Sequence, residues 1–235
     1  PSSTPVFKQL EEKLGFFKCY ETGWCKVDPF FTEPTLQNEG KTTILYSPTF
    51  SRGITSVEAL YDTIHQIAER RDWEWIITFH PKITDHSIIN KYQKLAEKFD
   101  NVSFERNEGL KTFQRADVML CDSSSIILEF MLLSKPVVTF KNTNPGPHLI
   151  DVNECDAVEP ALETALTRPK SLMEAIDTYT LNHEAHRDGN NCSRVLDAVD
   201  HFKSNFEGRI KAKPLNLWRK FRLRNSHKRL VLRRF

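Results

Sequence analysis

The chain has 235 residues, 39% of them hydrophobic, enough for one buried core plus appendages and too few for a second complete domain. Its net charge of +2 conceals a division: the stretch from Arg209 onward holds 11 Lys/Arg and no Asp/Glu, leaving the body with 22 basic against 31 acidic residues. No apolar run approaches the roughly 18 residues of a membrane span, and the five scattered cysteines lack both CxxC spacing and an even count, which excludes a disulfide framework or a zinc site. The thiols read as reduced and mainly packing. No signal-peptide pattern opens the sequence, so a cytoplasmic protein is expected.

Residues 1–40 are the least legible: Phe7 to Leu14 suggests a helix and Cys19 to Thr22 a strand end. From Lys41 an alternation begins. Thr43 to Tyr46 reads as a strand, and Ser56 to Arg71 as a helix carrying Val57, Leu60, Tyr61, Ile64 and Ile67 on one face. Strand Trp75 to Phe79, helix Ile88 to Phe99, strand Val102 to Phe104 and a short helical turn at Leu110 to Gln114 follow. Strand Asp117 to Cys121, helix Ser125 to Leu133 and strand Pro136 to Phe140 complete five β segments. Short apolar strands separated by helices predict an α/β fold with a doubly wound, Rossmann-like parallel sheet covered on both faces. After Phe140, helices are expected at Glu159 to Thr167, Leu172 to Leu181 and Ser193 to Asn205. The organisation expected is residues 1–40 as the remnant of a preceding lobe or linker, 41–207 as the nucleotide-binding domain, and 208–235 as a basic tail.

Ligands of open parallel sheets bind beyond the carboxyl ends of the strands. Four such segments draw attention: Ser47 to Gly53 after the first strand, His80-Pro81-Lys82 after the second, Asp122 to Ser125 after the fourth and Lys141-Asn142-Thr143 after the fifth. Asp122-Ser123-Ser124-Ser125 precedes an apolar helix whose unpaired N–H groups favour a phosphate, although a serine that merely caps the helix explains the same residues. Glu129 lies one helical turn further, where a carboxylate suits ribose hydroxyls or simply faces solvent. His80 follows an apolar strand directly, with Pro81 fixing the turn, and can stabilise phosphate oxygens as imidazolium or protonate a leaving group. Arg52, on the loop after the first strand, offers a planar fork suited to phosphate.

Four stretches resemble the CDP-glycerol glycerophosphotransferases, teichoic-acid and capsule polymerases with the two-lobed GT-B fold. They are GWCKVD (Gly23 to Asp28), ILYSPTFSR (Ile44 to Arg52), FHP (Phe79 to Pro81) and ADVMLCDSSSIILEF with SKPVVTF (Ala116 to Phe140). The resemblance implies the donor-binding C-terminal half of such an enzyme, with Gly23, Asp28, Arg52, Thr78, His80, Ser124, Ser125 and Glu129 contacting a CDP-linked donor. It also implies that His80 assists attack of a glycerol hydroxyl on the donor's β-phosphate, with no metal or other cofactor. Ser123 stands where the family often has Tyr, and Glu129 where it often has Asp. The family's acceptor lobe, with a second histidine, would precede Gly23 and is expected in cis or in trans. A second resemblance, of HRDGNNCSRVLDAV (His186 to Val199) to the closing segment of UDP-GlcNAc 2-epimerases, supplies the alternative of a UDP-sugar enzyme. Against it, the Asp122 to Ser125 turn lacks that family's glycines, and Gly189 also suits the start of a helix packing back on the sheet. A non-catalytic nucleotide-binding or membrane-tethered scaffold is the alternative of another class.

In the tail, Leu215, Leu217, Trp218, Phe221, Leu223, Leu230, Leu232 and Phe235 interleave with eight Lys/Arg. This is the composition of an interfacial anchor, each cation near an anionic leaflet being worth about 1 kcal/mol. The expected setting is the inner face of the cell membrane, with a lipid-linked or polymer acceptor and no nucleic-acid partner.

Overall fold

The computed structural model describes residues 2–34, 40–105 and 109–232, with side chains as far as Asn225. In chain order the helices are α1 (Thr4–Leu14), α2 (Pro29–Thr32), α3 (Tyr61–Arg70), α4 (His86–Lys98), α5 (Leu110–Arg115), α6 (Ile126–Met131), α7 (Val158–Leu166), α8 (Lys170–His183), α9 (Asn191–Asn205) and α10 (Leu217–Leu232). The strands are β1 (Thr43–Tyr46), β2 (Glu74–Thr78), β3 (Val102–Glu105), β4 (Val118–Cys121), β5 (Val137–Phe140) and β6 (Ile150–Val152). Two compact units emerge, one centred on Thr22–Arg194 and one combining Ser3–Glu21 with the chain from Val195 onward.

The first unit holds the sheet, every pair of neighbouring strands parallel, in the order β3-β2-β1-β4-β5-β6. Successive side chains of a strand point to opposite faces. Ile44, Tyr46, Trp75, Ile77, Val118 and Leu120 therefore join one core with Ile64 and Ile67 of α3, Leu95 of α4 and Leu162 of α7. Leu45, Ile76, Met119 and Val137 join another with Phe113 of α5, Phe130 of α6 and Ile176 of α8. Burial on both faces is why the strands read as nearly continuous apolar runs. The doubly wound α/β sheet is thus as the sequence leads one to expect.

The local differences have physical reasons. β6 is an additional edge strand of three half-buried residues whose central Asp151 hides the apolar signal. Helix α3 begins at Tyr61 rather than Ser56, because the Ser56 amide and hydroxyl bond to the Asp122 carboxylate, and the chain from Ser56 reaches α3 through a turn. Cys19 to Thr22 forms no strand.

In the second unit, Glu11 of α1 accepts hydrogen bonds from Lys18 Nζ (2.9 Å) and the Cys19 amide (2.7 Å). The Tyr20 hydroxyl meets His201 Nδ1 at 2.8 Å, and Lys18 lies over the Phe206 ring. Helix α10 exposes Leu217, Trp218, Phe221 and Leu223; the tail side chains beyond Asn225, among them Leu230, Leu232 and Phe235, lie outside the described residues. No helix among the described residues is long and apolar enough to cross a membrane.

Candidate functional site

From β1 the strand order runs outward to β2 and β3 on one side and from β4 to β5 and β6 on the other, so the crevice beyond the carboxyl ends of β1 and β4 is the topological switch point. Asp122, the first residue after β4, organises it. Its buried carboxylate accepts the Thr49 amide (2.8 Å), the Ser56 amide (2.9 Å) and the Ser56 hydroxyl (2.9 Å), pinning both ends of the β1–α3 loop that carries Arg52. Burial pushes this carboxyl above its ordinary value despite these donors. The loop after β5 joins from the other side, where Asn142 Nδ2 donates to the Asp122 carbonyl and the Thr143 amide to Ser123 Oγ, both at 2.8 Å. Ser123 is thereby occupied. The hydroxyls of Ser124 and Ser125 make no hydrogen bond among the described residues, and neither caps α6.

After β2 the chain makes a tight turn, His80-Pro81-Lys82-Ile83, closed by the Ile83 amide on the His80 carbonyl (2.8 Å). Pro81 presets the backbone for the second position of such a turn. The His80 imidazole receives the Lys82 amide on Nδ1 (3.1 Å) and lies 4.5 Å, centroid to centroid, from the Phe50 ring of the β1–α3 loop. Lys82 Nζ sits over the same Phe50 ring at 4.6 Å. Thr78 is fully buried at the end of β2. Two clefts flank the turn. One of about 500 Å³ is lined by Thr49, Arg52, Lys82, Thr84 and Asp85; the other, about 430 Å³, by His80, His86, Gln93, Phe104 and Glu105. Neither is lined by Ser124, Ser125 or Glu129.

Glu129 is buried on α6, and its carboxylate holds Lys26 Nζ at 2.6 Å. Lys26, which sequence reasoning passed over, thus ties the Gly23 to Asp28 segment to the helix that follows the serine turn. Gly23 and Asp28 sit against the start of α9. Gly23 has φ +77°, and a Cβ there would overlap the Asn191 side chain. Asp28 accepts the amides of Asn191 (3.0 Å) and Cys192 (2.9 Å), capping α9. Burial raises the Asp28 carboxyl, but the Cys192 amide and thiol and the Asn191 amide outweigh it, so it lies below its ordinary value. Gly189 lies just before α9, where a Cβ would overlap the Thr32 side chain, and Asp188 pairs with Arg194, which holds the Asp188 carboxyl far below its ordinary range.

A family model described as CDP-Glycerol:Poly(glycerophosphate) glycerophosphotransferase matches residues 18–144, more than half of the chain. The chain belongs to this family. No curated protein sequence matches. Among solved structures, the S. aureus MnaA–UDP complex is 18% identical with a TM-score of 0.55, covering 82% of this chain and 56% of that one. A protein assigned as UDP-N-acetylglucosamine 2-epimerase from Listeria monocytogenes is also 18% identical, with a TM-score of 0.51 over 83% and 56% of the two chains. A further UDP-N-acetylglucosamine 2-epimerase gives 16% and 0.54 over 89% and 57%. At these identities the likeness is one of fold alone. The chain spans little more than half the length of those structures.

The structure therefore gathers Arg52, Thr78, His80, Ser124 and Ser125 on the loops and strand ends of one sheet edge, with Glu129 one turn behind. It assigns Gly23 and Asp28 to the start of α9. Asp122 and Phe50 were missed as organisers; an acidic residue directly after an apolar strand was the available signal for the first. Among the described residues no group of three or more His, Cys, Asp or Glu is disposed to hold a metal.

Proposed function

We propose that the first unit binds the nucleoside diphosphate part of an activated donor at this sheet edge, as the donor half of a transferase. Arg52, the Ser124 and Ser125 hydroxyls and His80 meet the diphosphate, Thr78 acts from within the end of β2 by supporting the turn that carries His80, and Glu129 exchanges Lys26 for ribose hydroxyls. Gly23 and Asp28 act by shaping the segment that carries Lys26. The observation that carries this reading is the meeting at one sheet edge of the open serine turn and the Arg52 loop, which Asp122 locks together, with the His80 ring set against Phe50 of that same loop.

Two reactions compete for this site. Family membership supports transfer of glycerol phosphate or another polyol phosphate from a CDP-linked donor to a surface polymer such as teichoic acid or capsule, with the acceptor lobe supplied in cis or in trans. The solved structures favour the second reading, a UDP-sugar enzyme of glycosyltransferase or 2-epimerase type, and one of them is a UDP complex. The paired Asp188 and Arg194 in the epimerase-like segment support it as well. The exposed aromatic and basic residues of α10 support attachment to an anionic membrane surface. Calorimetric titration with CDP, UDP and CDP-glycerol separates these: CDP preference supports polyol-phosphate transfer, UDP preference the sugar enzyme, and no binding by any of them a scaffold without a nucleotide site.

A further inference from the structure

The fold brings together two thiols that lie far apart in the sequence. Cys25 opens the single helical turn Cys25–Val27, and Cys192 is the second residue of α9. Both belong to the unit that holds the sheet. Asp28 joins them: its amide donates to the Cys25 carbonyl (3.2 Å), and its carboxylate accepts the Cys192 amide (2.9 Å). Asn191 adds a further tie through its side-chain amide on the Trp24 carbonyl (3.4 Å). The Cys192 thiol donates to the Asp28 carboxylate and is also in hydrogen-bonding contact with the Cys25 thiol. Cys192 is exposed and Cys25 partly so, which leaves the pair open to a small oxidant.

We propose that Cys25 and Cys192 are a modification site, a dithiol that closes reversibly into a disulfide and staples the Gly23 to Asp28 segment to the first turn of α9. The oxidant is a low-molecular-weight disulfide. The Cys25 sulfur, having lost its proton, attacks it, forming a mixed disulfide and releasing one small thiolate. The Cys192 sulfur, on losing its proton, then attacks Cys25, and the new S–S bond closes as the second small thiolate leaves. Two protein thiols are oxidised, one small disulfide is reduced, and the two protons end on the two small thiols released. Cys25 goes first because the Asp28 carboxylate, with Cys25 beside it, pushes the Cys192 thiol up to about 11, which keeps Cys192 from acting as the first attacker. A bridge between residues so distant in the chain stabilises chiefly by removing freedom from the unfolded state. It also restrains the segment that carries Lys26, the partner of Glu129 on α6.

Mass spectrometry reads the bridge in the full chain after incubation at pH 8 with oxidised glutathione and digestion without reduction. The expected product is a linked peptide pair holding Cys25 and Cys192, two hydrogens lighter than its parts and released by excess reduced glutathione. Glutathione adducts on both cysteines without a link, or links that favour Cys19, Cys121 or Cys155, overturn the proposal, as does a link that excess reduced glutathione leaves intact. In Cys192→Ser the link should vanish and Cys25 should carry glutathione instead; an unmodified Cys25 in that variant would overturn the order of attack. The bridged form should melt about 5–10 °C above the reduced form, the shift expected of a long closed loop in a chain of this size. Cys192→Ser should melt alike with oxidised and reduced glutathione. A bridged form that melts at or below the reduced one would overturn the staple.

Discussion

Replacing Asp122 by Asn preserves shape and removes one acceptor, which isolates what the carboxylate does. Of its three bonds, the Asn oxygen can keep that to Thr49, and the Ser56 hydroxyl can turn to accept from the new amide. The Ser56 backbone N–H is then stranded opposite an N–H group in a buried site. An unsatisfied buried donor costs about 1–3 kcal/mol. Because burial already pushes the Asp122 carboxyl upward, the neutral amide recovers part of that loss. A net destabilisation of about 2 kcal/mol follows, which for a chain of this size lowers the thermal midpoint by about 4–8 °C. Urea unfolding gives the free energy, and native-state amide exchange should show Ser56 losing protection while β4 keeps it. A variant within about 0.5 kcal/mol of the parent, with unchanged exchange at Thr49 and Ser56, would refute the pinning of the loop by Asp122.

Asp28→Asn should cost about 1–2 kcal/mol by weakening the cap of α9. Since the folded carboxyl lies below its ordinary value, its contribution is present above about pH 4 and is lost as pH falls through the folded value. The urea-midpoint difference from the parent should therefore shrink on acidification; a difference constant from neutral to strongly acidic pH would contradict this. The Cys192 thiol, pushed up to about 11 by the Asp28 carboxylate and Cys25, should alkylate slowly at pH 8 although it is exposed, and faster in Asp28→Asn. Finding Cys192 to be the fastest-reacting thiol would contradict the assignment. Deleting residues 209–235 should abolish flotation with liposomes rich in anionic lipid. Equal flotation of both forms would remove the tail from membrane attachment.

The layering and strand sequence were legible because a parallel sheet buried on both faces writes itself as apolar runs between helical periods, as at Ile44 to Tyr46 and Val118 to Cys121. β6 was hidden because Asp151 is spent on Thr139 and the Asn142 amide, a long-range polar arrangement that no local pattern announces. The site was legible as residues after strand ends and illegible as a network. Nothing local says that Asp122 faces Thr49 and Ser56, that Lys26 meets Glu129 across 103 positions, or that Asp28 caps a helix 163 positions later. Such pairings depend on the crossover order of the sheet, which brings distant loops to one edge.

Hydrogen–deuterium exchange of the full chain with and without saturating CDP or UDP tests the central claim most directly, since it reports where the nucleotide acts without assuming the reaction. The switch-point site predicts protection confined to the segments 47–56, 78–83 and 122–129. Protection centred on the α7–α8 side of the sheet, or none from either nucleotide, would contradict it.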